Sequence, residues 1–103
     1  MLGKYNAYED LFCSGWKYGP SVFPDPIHAA TAGPILVVAT TGDPATPYSE
    51  AKDLVKQLVT SHLVTYRGEG HTAYDLGHPC VDKAVDAYLD SGVVPATDPQ
   101  CRD

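Results

Sequence analysis

Two residues in this sequence stand where a proton could be moved. Asp43 lies in Thr40-Thr41-Gly42-Asp43-Pro44, and His71 lies in Gly68-Glu69-Gly70-His71-Thr72. A carboxylate on one imidazole nitrogen fixes the tautomer and stabilises the imidazolium. The other nitrogen is then free to take a proton from a nucleophile. Gly42, Gly68 and Gly70 give both turns backbone freedom. Two other readings of the same residues stay open. Asp before Pro is a common turn residue, and Gly-x-Gly-His can be an ordinary loop with an exposed histidine. A metal site from His71, Asp75, His78 and Cys80 is the other functional option. Its spacings match no standard zinc arrangement, and His78-Pro79 reads as a helix entry. His28, in a connector, and His62, at a strand start, read as solvated. None of the serines (Ser14, Ser21, Ser49, Ser61, Ser91) lies in Gly-x-Ser-x-Gly, the sharp strand-to-helix elbow that exposes a nucleophile.

The elements that would carry Asp43 and His71 follow from periodicity. Ile35-Leu36-Val37-Val38-Ala39 is apolar throughout, the pattern of a strand buried on both faces. It runs into a cluster of turn formers in which Thr46 suits an N-cap and Pro47 the first helical position. Ala51, Leu54, Val55, Leu58 and Val59 make one apolar helix face, with Glu50 in the first turn. Residues 61–66 are β-branched and aromatic, suited to a second strand that Gly68 breaks. A last helix carries Val81, Ala84, Val85, Tyr88 and Leu89 on one face and stops at Gly92. The tail from Val93 has no period. Upstream, Tyr5, Tyr8 and Phe12 suit a short helix, and residues 19–34 hold four prolines and read as an irregular connector.

The order strand-helix-strand-helix is α/β, with the two strands parallel by the right-handed crossover rule. In an open parallel sheet the carboxyl edge is where ligands and catalytic groups collect. Adjacent parallel strands lie about 4.8 Å apart, so the two turns can bring Asp43 to His71. Two strands are almost no sheet, however, and a strand such as 35–39 wants neighbours on both sides. With 103 residues the chain fits one small domain or a piece of a larger one. A formal charge of −6 disfavours nucleic acid as a partner. No run approaches the roughly 18 apolar residues of a membrane helix, and no signal peptide is visible at the start. Three cysteines mean one pair and one unpaired thiol in an oxidising compartment, or three small buried side chains in a reducing one.

The order of these motifs carries a resemblance. Ile35–Ala39 with Thr41-Gly42-Asp43-Pro44-Ala45-Thr46-Pro47, then Gly68-Glu69-Gly70-His71-Thr72, then residues 80–89 and Gly92…Pro95…Cys101 resemble the C-terminal region of the tripeptidyl-aminopeptidase-like α/β-hydrolases. These are secreted or envelope-attached bacterial serine exopeptidases and related hydrolases, found largely among actinobacteria. Cys13-x-x-Trp16 before a proline-rich connector is similar to the segment leaving that family's cap. The resemblance implies residues 1–33 as the end of the cap region and connector, and 34–103 as the C-terminal hydrolase segment. It puts Asp43 on the triad acid, His71 on its base, Cys80 and Cys101 on a late disulfide, and Cys13 on a cysteine with an upstream partner. A bridge between Cys80 and Cys101 closes a loop of about 20 residues, worth roughly 3 kcal/mol.

The family's nucleophile, oxyanion loop and early strands have no counterpart in these 103 residues. The resemblance therefore implies the Asp and His of a Ser-His-Asp triad for peptide or small amide and ester bonds, with the N-terminal part of the hydrolase as partner. No cofactor is implied, and the location is extracellular or envelope. The rivals are a non-catalytic truncated module that binds a partner, or one half of a split enzyme. On any of these readings the chain alone is expected to be inactive, because acyl transfer needs a nucleophile and oxyanion donors.

Overall fold

The computed structural model describes residues 14–17, 19 and 29–102. The short helix expected around Tyr5–Phe12, the anchors Val22 and Phe23, His28 and Cys13 lie outside them. The order is β1 (Ile35–Gly42), α1 (Tyr48–Gln57), β2 (Ser61–Glu69), α2 (Pro79–Ser91) and β3 (Gln100–Cys101). The α/β class and the parallel pair hold. The sheet has three strands, in the order β1-β2-β3, where the sequence led us to expect two. The added strand is two residues of the aperiodic tail, parallel to β2 through Thr65↔Gln100 and Tyr66↔Cys101. Such a segment has no hydrophobic period to announce it. It is placed by tertiary contacts: the Cys80–Cys101 disulfide, with Cα atoms 5.6 Å apart, and Leu63 N–H donating to Asp98 Oδ1 at 3.1 Å.

Both main strands run further than the apolar residues that define them. β1 continues through Thr40 and Thr41, and β2 through Arg67 and Gly68. Their register is regular from Ile35↔Ser61 to Thr40↔Tyr66 and then slips, so that Gly42 faces Glu69. A bulge of this kind bends the chain and re-aims the residues after it. Gly42 and Gly68 therefore sit within strands, and they supply room where we expected torsional freedom. A Cβ on Gly42 would meet the Glu69 carboxylate, and one on Gly68 would meet the Tyr66 ring. Gly70, with φ at 121°, is the one of the three that uses a conformation other residues resist.

The core gathers on one side of the sheet. Val64, Tyr66, Ala73, Val81, Val85 and Cys101 form the buried cluster, with Leu36, Val38 and Ala84 packed against it. α2 buries Val81 and Val85 there and ends at Gly92, whose φ of 67° and N–H to the Tyr88 carbonyl form a left-handed cap. α1 buries none of its residues. Leu54 and Val59 of the predicted apolar stripe remain exposed, although Leu58 just past the helix is buried. What holds α1 is polar at both ends. The Tyr48 hydroxyl lies 2.9 Å from Thr65 Oγ1, and Ser61 Oγ donates to the Val55 and Leu58 carbonyls. Along β1 the run Ile35–Ala39 is only half-buried. Its outer edge has no strand partner among the described residues.

Candidate active site

The Asp43 turn is built almost wholly from its own neighbours. Asp43 Oδ1 accepts the backbone N–H groups of Ala45 at 2.8 Å and Thr46 at 2.9 Å. Oδ2 accepts the Thr46 hydroxyl at 2.8 Å. A short side chain that bonds two N–H groups just ahead of it is an Asx-type turn, which this sequence adopts locally. These bonds correct the helix start. Thr46 was expected to cap α1, but its hydroxyl goes to the carboxylate, Pro47 occupies the N-cap, and no side chain bonds the first turn. A hydroxyl gains more from a full negative charge than from a neutral amide.

His71 arrives from the other strand. Its Nδ1 lies 3.0 Å from Asp43 Oδ1 and 3.0 Å from Oδ2. An ionised carboxylate can only accept, so Nδ1 carries the proton and Nε2 is left with its lone pair. Nε2 has no hydrogen bond among the described residues, and the His71 side chain is 54% exposed while that of Asp43 is 4% exposed. The carboxylate is held well below its usual titration range. The Thr46 amide is the largest cause; burial opposes it, and the Ala45 amide, the Thr46 hydroxyl and His71 reinforce it. Asp43 is thus a charged acceptor at neutral pH. The arrangement can accept a proton at an open Nε2 while a fixed anion stabilises the resulting imidazolium.

The loop carrying His71 has long-range supports. Thr72 N–H donates to Asp43 Oδ2 at 3.3 Å, and the Thr40 hydroxyl donates to the Thr72 carbonyl at 2.9 Å. Ala73 is buried. The Tyr74 hydroxyl donates to Asp86 Oδ1 at 2.8 Å, a bond that pushes the phenol's titration up. Asp75 N–H donates to Asp82 Oδ1 at 2.9 Å. The four residues weighed as metal ligands go separate ways. His71 faces Asp43, Asp75 turns to α2 through its backbone, His78 stacks on Tyr66 with ring centroids 3.9 Å apart, and Cys80 is in the disulfide. His78 does precede α2 as a helix entry. His62 is less solvated than expected, 32% exposed with Nδ1 3.8 Å from Asp98 Oδ1. Ser61 and Ser91 spend their hydroxyls on backbone carbonyls, and Ser49 sits in the first turn of α1.

Thr40 and the second role of Thr46 escaped the sequence reading. Thr46 had a signal, since Asp-x-x-Thr is the spacing of an Asx turn closed by a hydroxyl; Thr40 had none, because its partner is 32 residues away. An open cavity of about 580 Å³ adjoins the pair, lined by Val37, Ala39, Leu54 and Tyr74 together with Asp43 and Thr46.

Comparison with known proteins gives this geometry a lineage. The sequence model of the TAP-like protein family, a division of the α/β-hydrolases, matches residues 1–101. The chain belongs to the TAP-like family. Among its relatives, carboxylesterase B of Mycobacterium tuberculosis is 43% identical over 96 residues, 93% of this chain and 18% of that protein. Serine protease Hip1 of the same organism is 40% identical over 100 residues, 96% of this chain and 19% of the relative. Tripeptidyl aminopeptidase of Streptomyces lividans is 35% identical over 100 residues, 93% of this chain and 18% of the relative. The chain thus spans under a fifth of the length of the TAP-like relatives it matches.

Proposed function

We propose that this chain supplies the acid and the base of a Ser-His-Asp triad in a TAP-like serine hydrolase acting on peptide or small amide and ester bonds. The observation that carries the reading is the pair itself. Asp43 and His71 follow consecutive parallel strands, and Nδ1 is locked on the carboxylate with Nε2 open. In the reaction, His71 Nε2 takes the proton of the attacking serine hydroxyl as its oxygen bonds to the carbonyl carbon. The same proton then passes to the departing amine or alcohol. Asp43 stays ionised and holds the ring in the productive tautomer. The serine and the oxyanion donors come from the nucleophile-bearing portion of the hydrolase.

That portion is also the partner the fold calls for. Among the described residues, the edge of β1, the outer face of α1 and the cavity between them are apolar surface with no cover. An unpaired strand edge of this kind accepts a further strand. Residues 1–33 are then the end of the cap region and its connector, and 34–103 the segment that closes the sheet. The disulfide fits an oxidising compartment, outside the cell or in its envelope. Among the described residues no helix is long and apolar enough to cross a membrane.

The test is reconstitution. Joined to, or co-folded with, the nucleophile-bearing portion, the chain should support turnover of a tripeptidyl chromogenic amide or a short-chain ester. The chain alone should show none. His71→Ala in the reconstituted enzyme should lower kcat by about 10⁴-fold or more. Turnover that survives His71→Ala would remove the reading and leave the chain as a non-catalytic hydrolase module.

A further inference from the structure

We propose that Thr40 is the positioning residue of the His71 loop, a hydroxyl clamp that holds the base on its acid. The inference rests on the triad reading above. Thr40 is on β1 and only 1% exposed, so its hydroxyl must find a partner inside the protein. It donates to the carbonyl of Thr72 at 2.9 Å, across 32 residues of sequence. Thr72 follows His71 directly and has φ at 68°. For a β-branched residue that left-handed conformation is a strained one, kept only where the surroundings over-determine it. Here both sides of Thr72 are fixed: its carbonyl by Thr40, and its N–H by Asp43 Oδ2 at 3.3 Å.

The consequence is mechanical. Without the Thr40 hydroxyl, Thr72 can relax to negative φ. That turns the peptide between His71 and Thr72, withdraws the N–H from Asp43, and carries the imidazole off the carboxylate. β1 then contributes twice to the site, by Asp43 past its carboxyl end and by Thr40 within it. The second contribution acts only through the backbone of the neighbouring loop. A glycine at position 72 would hold the same conformation without strain and keep its N–H. The clamp therefore becomes dispensable if residue 72 is glycine.

The experiment uses the reconstituted hydrolase and four variants. Thr40→Val, which keeps the shape and loses the hydroxyl, should lower kcat by about 10–100-fold with KM little changed, as a displaced catalytic group does. Thr40→Ser should retain most of kcat. The double variant Thr40→Val with Thr72→Gly should recover most of what Thr40→Val loses, which a general loss of packing would not allow. Hydrogen exchange of the Thr72 amide, followed in the same proteins, should quicken by about tenfold or more in Thr40→Val and stay slow in Thr40→Ser. Full kcat in Thr40→Val, in an enzyme that His71→Ala inactivates, would overturn the clamp and leave the triad standing. An unchanged Thr72 exchange rate in Thr40→Val would overturn it whatever the activity. If His71→Ala itself has no effect, the triad reading fails and the exchange data alone judge the clamp.

Discussion

The two halves of this chain are finished to different degrees. In the half made by β2, α2 and β3, Val64 and Val81 are fully buried, Cys101 is 1% exposed, and a disulfide ties the tail to the start of the helix. In the half made by β1 and α1, the strand is half-buried and the helix buries nothing. Both halves offer an apolar strand run and a helix with one apolar face. The difference lies in what is available to cover them. α2 and β3 close the second half from within the chain, while among the described residues the first half presents an open edge and an open face. Each half delivers one member of the Asp43–His71 pair: Asp43 comes from the open one and His71 from the closed one. The supports are reversed. Asp43 is held chiefly by three bonds from Ala45 and Thr46 just after it, and His71 by contacts drawn from distant parts of the sequence.

The largest expected effect comes from cutting the link between the halves. Asp43→Asn keeps the shape of the turn but offers His71 an amide that can donate as well as accept. The imidazole then loses its fixed tautomer, and kcat of the reconstituted enzyme should fall by about 10⁴-fold while KM changes little. A loss smaller than tenfold would mean that the two halves meet for structural reasons alone.

Removing the staple of the closed half should have an intermediate effect. Replacing both Cys80 and Cys101 by Ser should lower stability by roughly 3 kcal/mol, measured by denaturant unfolding of the reconstituted protein. The distribution of the damage sharpens the comparison. Amide exchange should quicken around β3, α2 and the His71 loop, with the Asp43 turn little affected because its bonds are local. Equal quickening in both turns would contradict the assignment of local and long-range support.

The smallest effect belongs to the open half. Thr46→Val removes one of the bonds that hold the Asp43 carboxyl below its ordinary value of 3.8. A depressed carboxyl stabilises the fold fully above that unfolded-state value, and the contribution is lost as pH falls through the lower folded-state value. Wild type should therefore melt above Thr46→Val between pH 5 and pH 8, and the gap should close only well below pH 3.8, where the folded-state carboxyl takes up its proton. A gap that widens with acid would reverse the sign of the argument.

Much of this was legible in the residues. The β1 and β2 runs, the α1 and α2 stripes, the Gly92 stop and the parallel order all follow from period and from strong local signals. The Asp43 turn was nearly as plain, because Asp43, Ala45 and Thr46 contain its local hydrogen-bonding scheme. The reading failed where two groups compete or where the partner is distant. Thr46 had two possible partners, a first-turn N–H to accept from and the Asp43 carboxylate to donate to, and the charge of Asp43 decided between them. β3 could not be seen, since two residues have no period, and tertiary contacts place them: the pairing of Cys101 with Cys80, Leu63 N–H with Asp98, and Thr65 N–H with the Pro99 carbonyl.

The sequence by itself determined the elements, their order and the local geometry of Asp43, because those depend on side-chain period and on bonds within a few residues. Only the tertiary structure decided where His71 sits. The bulge between Thr40 and Gly42, the left-handed Thr72 and the buried Thr40 hydroxyl act across about 30 residues of chain. Contacts of that span have no local cost or benefit in the sequence. They acquire an energy only once β1 and β2 lie side by side, which is why Asp43 could be read and the hold on His71 had to be seen.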